Sequence, residues 1–297
     1  MSEAMNAAII TVEHLTHIYQ AKASGPLQKA ALVDITMQID QGSCVAIIGV
    51  TGSGKSTLVQ HFNGLLRPTS GTVVVDGFDT TDKTRDLVLL RRRVGMLFQY
   101  PESQLFERTL YADVAFGPRR MRIGRREVRR RVLAALDMVG LPHAEYALRN
   151  PFELSGGQRR RAALAGVLAM SPKILILDEP TVGLDAGGRE EFYAYLARIR
   201  QEQQVTIVLV SHDMTEVAEL ADQIFVLRDG RLVMQGEPRA IFAQGEALRS
   251  FGLATPPLSE LLALLRQKGL DIPPDIFTLE EAFNLLRDRN MIPEKGV

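Results

Sequence analysis

The stretch Gly49–Thr57, GVTGSGKST, follows an apolar run and precedes LVQHF, which favours a helix. Its G-x-x-x-x-G-K-S spacing is that of a phosphate loop. Glycines let backbone amides turn inward onto phosphate oxygens, a lysine reaches the outer phosphates, and the next hydroxyl ligates Mg²⁺. Gly49, Thr51, Gly52, Ser53 and Gly54 would form the cradle, Lys55 its cation, Ser56 the metal ligand and Thr57 a further phosphate contact. A glycine-rich turn with no ligand has similar composition, but an apolar strand before and a helix after favour the cradle. KILILDEPT ends a second apolar run on Asp178 and Glu179. The first acid is placed to hold the Mg²⁺ shell and the second to polarise an attacking water; without the loop, both would read equally well as a solvated strand end. His212 closes VTIVLVSH and Gln99 closes VGMLFQ. Strand ends in an open parallel sheet face the ligand crevice, so His212 can meet a terminal phosphate, and Gln99 can orient water or touch the metal.

Further along, NPFELSGGQRRR opens a helical run with Ser155, Gly156, Gly157 and Gln158. The amides of a first helical turn have no partners inside the helix, and the dipole adds positive potential at the same place, so this turn also suits a phosphate. The chain thus has two phosphate-seeking turns where one nucleotide needs one cradle.

These residues have to be positioned by strands, and the runs CVAIIG, TVVVDG, VGMLF, ILILDE, VTIVLVS and IFVLRDGRLVMQG supply candidates. Several are apolar throughout, which suits strands covered on both faces by helices. Asp229–Gly230 between apolar stretches signals a tight hairpin, so antiparallel strands are expected to finish the sheet. Charged helical periodicity from about 110 to 148 implies a helical subdomain, drawn at about 100–165, inserted into an α/β domain over 5–245. A C-terminal helical extension over 246–297 follows, hung on Pro256, Pro257, Pro273 and Pro274, with capping-box spacing between Thr278 and Glu281.

The 297 residues are enough for a full core, and 46% hydrophobic with 24% charged residues is ordinary for a globular protein. Lysine plus arginine match aspartate plus glutamate at 35 each, so the overall charge gives no support for nucleic-acid binding. The single cysteine, Cys44, excludes an internal disulfide and sits in an apolar run, which points to a buried small hydrophobe in a reducing compartment. The N-terminus lacks signal-peptide features, and no apolar run is long enough to span a bilayer, so any work at a membrane is expected to go through a partner. Arg119–Arg131 holds eight arginines and one glutamate. It reads either as contact with anionic lipid or nucleic acid or as the solvated face of an amphipathic helix, and the second reading is the more usual.

Taken in order, Gly49–Thr57, Gln99, Leu154–Gln158, Ile174–Glu179, Gly183–Asp185 and His212 resemble the ATPase subunit of an ATP-binding-cassette transporter over roughly residues 5–240. The resemblance implies an α/β P-loop NTPase that binds ATP and Mg²⁺. It also implies Asp178 as the metal-holding acid, Glu179 as general base, His212 against the γ-phosphate and Gln99 at the metal. Tyr19 would stack on adenine, and Asp185 would belong to a loop crossing between subunits. It answers the question of two cradles as well: two cassettes close head to tail, and the Ser155 turn of one binds the γ-phosphate held by the other's loop. FQYPESQLFERTLYADVAFGPRRM and the NPFELSGGQRRR region are similar to the ATPases of energy-coupling-factor transporters, importers of vitamins and of cobalt or nickel ions. That similarity implies three partners: a second cassette ATPase (a paralogue or a second copy), a transmembrane coupling subunit docking at Pro101–Phe106, and a small substrate-binding membrane subunit. It places the chain peripherally at the cytoplasmic face of the membrane.

Three rivals differ in partner. A chromosome or repair cassette would need long heptad arms between Lys55 and Ser155, and none is present. A translation-associated protein would usually carry two cassettes. An ATPase of another transporter class is separated only by the YPESQLF region and the tail.

Overall fold

The computed structural model describes residues 7–19, 30–82, 87–273 and 276–289. Pro274, the start of the expected ATPase domain and the end of the expected extension therefore lie outside the described residues. The strands are β1 (Ala8–Ile18), β2 (Ala30–Asp40), β3 (Cys44–Ile48), β4 (Ser70–Val75), β5 (Phe78–Asp79), β6 (Val94–Leu97), β7 (Ile174–Asp178), β8 (Thr206–Val210), β9 (Gln223–Arg228) and β10 (Arg231–Gly236). Helices α1 (Lys55–Phe62) and α2 (Val88–Arg93) precede β6; α3 (Leu110–Val114), α4 (Phe116–Arg119), α5 (Arg125–Met138), α6 (His143–Tyr146) and α7 (Gly156–Leu168) separate β6 from β7. After β7 come α8 (Ala186–Gln203), α9 (Met214–Leu220), α10 (Pro238–Phe242), α11 (Gly245–Ser250), α12 (Pro257–Gln267) and α13 (Leu279–Asp288).

One sheet has the order β10-β9-β3-β8-β7-β6, parallel except at β10. Its unbroken apolar strands follow from two-sided burial. Ile174 and Ile176 of β7 face one core, which also holds Leu58, Val59 and Phe62 of α1, while Leu175 and Leu177 face another with Leu164, Leu168 and Phe192 of α7 and α8. Each such side chain contributes about 1.5–3 kcal/mol on burial, so neither face tolerates a polar replacement. The expected hairpin is present: Asp229 and Gly230 both have positive φ, 49° and 76°, as a two-residue primed turn requires.

Antiparallel pairing extends beyond this edge. A separate sheet of order β2-β1-β4-β5 lies over α1 and contains TVVV, one of the runs read above as a strand. Its β1 and β2, eleven residues each, alternate buried and exposed positions, with Leu32, Ile35, Met37 and Ile39 inward. Bulges near His14 and Asp34, both at positive φ, interrupt that alternation and obscure the strands in the sequence.

Cys44 is buried as expected, and burial pushes its thiol up to about 12. The Thr278–Glu281 capping box forms at the start of α13. Leu262, Ile272, Ile276 and Ala282 make a small core of their own, whereas Phe277 packs with Ile241, Phe242, Leu248 and Val226 of the preceding structure.

Candidate active site

The loop between β3 and α1 is shaped by how little space surrounds it. A Cβ on Gly49 would lie 2.4 Å from the Leu227 carbonyl oxygen, and one on Gly54, at φ +106°, 2.7 Å from that of Ala31. No side chain fits at either position. Lys55 arches back over the loop, its Nζ donating to the carbonyl oxygens of Gly49 (2.7 Å) and Val50 (3.2 Å). Burial lowers the ammonium's pKa, and the charges of Glu179 and Asp178 offset part of that. A buried cation held by carbonyl oxygens alone gains by meeting a phosphate. The Ser53 hydroxyl is also buried, without a hydrogen-bond partner among the described residues.

Tyr19, Thr51, Gly52, Gly54, Lys55, Ser56, Thr57, Gln99, Asp178 and Glu179 line one open cleft of about 490 Å³ with Ala31. At one end Tyr19, half exposed, holds Thr57 Oγ1 through its hydroxyl at 3.1 Å and keeps its ring accessible. At the other end stand the acids. Burial raises the pKa of Asp178, opposed by a hydrogen bond from the Ser56 hydroxyl; Glu179 raises it further and Lys55 lowers it. Glu179 sits at φ 50°, a conformation costing a non-glycine residue about 1–3 kcal/mol that the surrounding structure must supply. That turn aims its carboxylate between two partners: Gln99 Nε2 donates to Oε2 at 3.1 Å, and His212 Nδ1 lies 3.2 Å from Oε1. Three side chains from the ends of β6, β7 and β8 thus converge over the cradle.

Ser155, Gly157, Gln158 and Asp185 line a second cleft of about 550 Å³, which shares no lining residue with the first. Ser155 caps α7 in a full capping box: its hydroxyl accepts from the Gln158 amide at 3.2 Å, and its own amide donates to Gln158 Oε1 at 3.0 Å. With its oxygen accepting from that amide, the hydroxyl still has a proton to donate. Gly156 and Gly157 face open space, so an anion can approach their amides closely. Asp185 caps α8 through the Gly188 amide at 2.8 Å.

Two further residues join these parts. Arg160, buried on α7, donates to the Pro180 carbonyl at 2.9 Å and lies 3.6 Å from Glu102, beside Gln99's loop. It fastens the Ser155 helix to the segments on either side of the acids. In the sequence it is one arginine among three following Gln158, with nothing to distinguish it. Glu216, fully buried on α9, has its carboxyl beside the Ser211 and Thr181 hydroxyls without standard hydrogen-bond geometry to either. Burial pushes it up to about 7, so it titrates near neutrality.

Residues 32–182 match the family model described as ABC transporter. The chain belongs to the ABC transporter family. Within it, the chain groups with the ATP-binding proteins of energy-coupling factor transporters. It is 51% identical to the "Energy-coupling factor transporter ATP-binding protein EcfA2" of Symbiobacterium thermophilum, over 94% of this chain and 95% of that one. To the protein of the same name from Clostridium tetani it is 46% identical, over 92% and 94%. Among solved structures, cbiO1 from Clostridium perfringens, part of the ABC transporter complex cbiONQ, aligns with a TM-score of 0.74 at 39% identity, over 86% of this chain and 99% of that one. The ATP-binding cassette MJ0796, solved as a dimer bound to ADP and Pi, aligns with a TM-score of 0.68 at 31% identity, over 77% and 99%. The cassette described here has no helix, among the described residues, long and apolar enough to cross a membrane.

Proposed function

We propose that this chain is the ATP-binding and hydrolysing subunit that powers an energy-coupling-factor importer for a vitamin or for a cobalt or nickel ion. It works peripherally at the cytoplasmic face of the cell membrane, paired head to tail with a second cassette ATPase, either a paralogue or another copy. A transmembrane coupling subunit docks at Pro101–Phe106, and a small membrane subunit chooses the cargo. Residues 5–245 form the ATPase domain, with its helical subdomain at about 100–165, and 246–297 the helical extension.

The place of each residue supports its proposed part. The amides of Gly49–Gly54 and the Lys55 ammonium hold the β- and γ-phosphates, with Ser53, Ser56 and Thr57 contributing hydroxyls, and the accessible Tyr19 ring stacks on adenine. Glu179 takes the proton of the attacking water as its oxygen adds to the γ-phosphorus; the bond to the bridging oxygen breaks and ADP leaves. Gln99 and His212 fix the Glu179 carboxylate, and His212 meets the γ-phosphate. Ser56, Asp178 and Gln99 offer hard oxygen donors that fit Mg²⁺. Among the described residues no group of three or more His, Cys, Asp or Glu could enclose a metal alone, and Mg²⁺ characteristically completes its shell with phosphate oxygens and water. When bound it neutralises charge on the β- and γ-oxygens.

The observation carrying the pairing is that Ser155 and Lys55 line different clefts. A γ-phosphate on Lys55 receives a Ser155 turn only from another cassette, and closure then excludes water and completes the charge-stabilising set. The test is to tag the chain in its host, solubilise the membranes gently and identify what co-purifies. A polytopic coupling protein, a second cassette ATPase and a small membrane protein are the expected partners. Recovery with ribosomes, DNA factors or a different permease would overturn the transport assignment or its subtype.

A further inference from the structure

The arginine-rich segment turns one basic face outward. Between Val114 and Leu136 the chain has eight arginines against one glutamate, a net of seven positive charges in a molecule whose total is zero. Helix α5 buries Val128, Val132, Ala135 and Leu136, and that packing sets the opposite side of its first two turns. Arg125, Arg126, Arg129 and Arg130 are exposed there, and Arg119, Arg120 and Arg122 continue the exposed basic surface on the segment before the helix. A solvated amphipathic helix normally intersperses charges of both signs and answers its cations at i,i+3 and i,i+4. Here Glu127 binds Arg130 and Arg131 at 2.7 Å each and is thereby consumed. Arg119, Arg122, Arg125, Arg126 and Arg129 are left with no acidic partner among the described residues.

The basic face adjoins exposed aromatic surface. The Arg120 guanidinium lies 4.7 Å over the Phe116 ring, which is 39% exposed and meets Phe106, the end of the proposed coupling-subunit dock, edge to face at 5.0 Å. Guanidinium groups pair with phosphate through two parallel hydrogen bonds, and aromatic rings settle at the boundary between headgroups and acyl chains. Nucleic acid would find the same guanidiniums but no use for a flanking Phe116 ring without a groove to seat bases. We propose that the arginine face of α5 and the segment before it, edged by Phe116, docks on the anionic phospholipid headgroups of a bilayer. The proposal goes beyond attachment through membrane subunits and takes from the transporter reading only that a bilayer is nearby.

Flotation of the purified full-length chain with vesicles tests this. Phosphatidylcholine mixed with phosphatidylglycerol should carry the protein upward, pure phosphatidylcholine should not, and raising the salt should release it. Replacing Arg122, Arg125, Arg126 and Arg129 with Gln should weaken vesicle partitioning by at least about tenfold. Melting temperature and ATP hydrolysis should not change, because these side chains touch neither cleft. Replacing exposed Arg198 and Arg231 instead serves as the control and should leave binding intact. Equal flotation with neutral vesicles, salt-resistant binding, or a quadruple variant that still floats would overturn the proposal. So would tighter binding to duplex DNA or RNA than to the anionic vesicle at matched salt. If the quadruple variant loses its membrane subunits in detergent, where no bilayer exists, the face docks a protein and the lipid assignment fails while the transporter reading stands.

Discussion

Glu179 shows how the site is made at the scale of a residue. Its left-handed backbone and its two partners, Gln99 and His212, fix a carboxylate over the phosphate cradle, and the strain is localised at the residue proposed above as general base. Glu179→Gln keeps the shape and removes the proposed base, so ATP binding should persist while turnover falls by about 10²–10⁴-fold. Hydrolysis at close to the parental rate in a single-turnover assay would remove Glu179 from that role. Glu216 makes a different prediction. Its pKa rises from 4.5 in the unfolded chain to about 7 in the fold. The folded state therefore keeps a proton that the unfolded state releases, and stability from this group is full below pH 4.5, declines up to about 7 and is lost above. Glu216→Gln stays neutral throughout, so relative to the parent it should be unchanged at acidic pH and more stable at pH 8 by on the order of 3 kcal/mol. Denaturant unfolding at both pH values reads the difference, and equal gaps would contradict it. His61 is held neutral by burial, which lowers it to about 4 and tilts stability the opposite way; only the variant-minus-parent difference isolates Glu216. The phosphate loop was legible because its chemistry is local to nine consecutive residues. Glu216 and Arg160 were not, since burial of one acid or one arginine is decided by elements distant in sequence.

At the scale of elements, turns brace the cradle. Gly230, read from the sequence as half of a hairpin, also donates its amide to the Ser53 carbonyl at 3.0 Å and accepts from the Val33 amide at 2.8 Å, joining β10, the phosphate loop and β2. It holds φ +76°, and a Cβ there would meet the Ala31 carbonyl oxygen at 2.7 Å. Gly230→Ala should cost roughly 2 kcal/mol and lower the melting temperature by roughly 4–8 °C, with weaker ATP binding because Ser53 must shift. An unchanged melt and affinity would show the turn to be independent of the loop. The parallel strands declared themselves through unbroken apolar runs, whereas β1 and β2, which pair with each other, did not: their alternation is broken by bulges at His14 and Asp34. The hairpin and the Thr278 capping box were readable because each is set by neighbouring residues.

For the whole molecule, the decisive feature is a division. One cleft has the cradle, the acids and Tyr19; the other has Ser155, its glycine turn and Asp185, and Arg160 fastens the second to the first within the chain. Two incomplete halves at different places make sense in a head-to-tail pair, where ATP closes the interface and hydrolysis reopens it. The sequence carried both motifs but not their separation, which is a property of the fold. The most direct test measures ATP-dependent association by light scattering in the Glu179→Gln background, for the chain alone and with the cassette that co-purifies from its host. Adding Ser155→Arg to this chain should leave ATP binding to the monomer intact and prevent the Ser155 side of the pair from closing. Association and ATP trapping unchanged by that substitution would contradict the shared site.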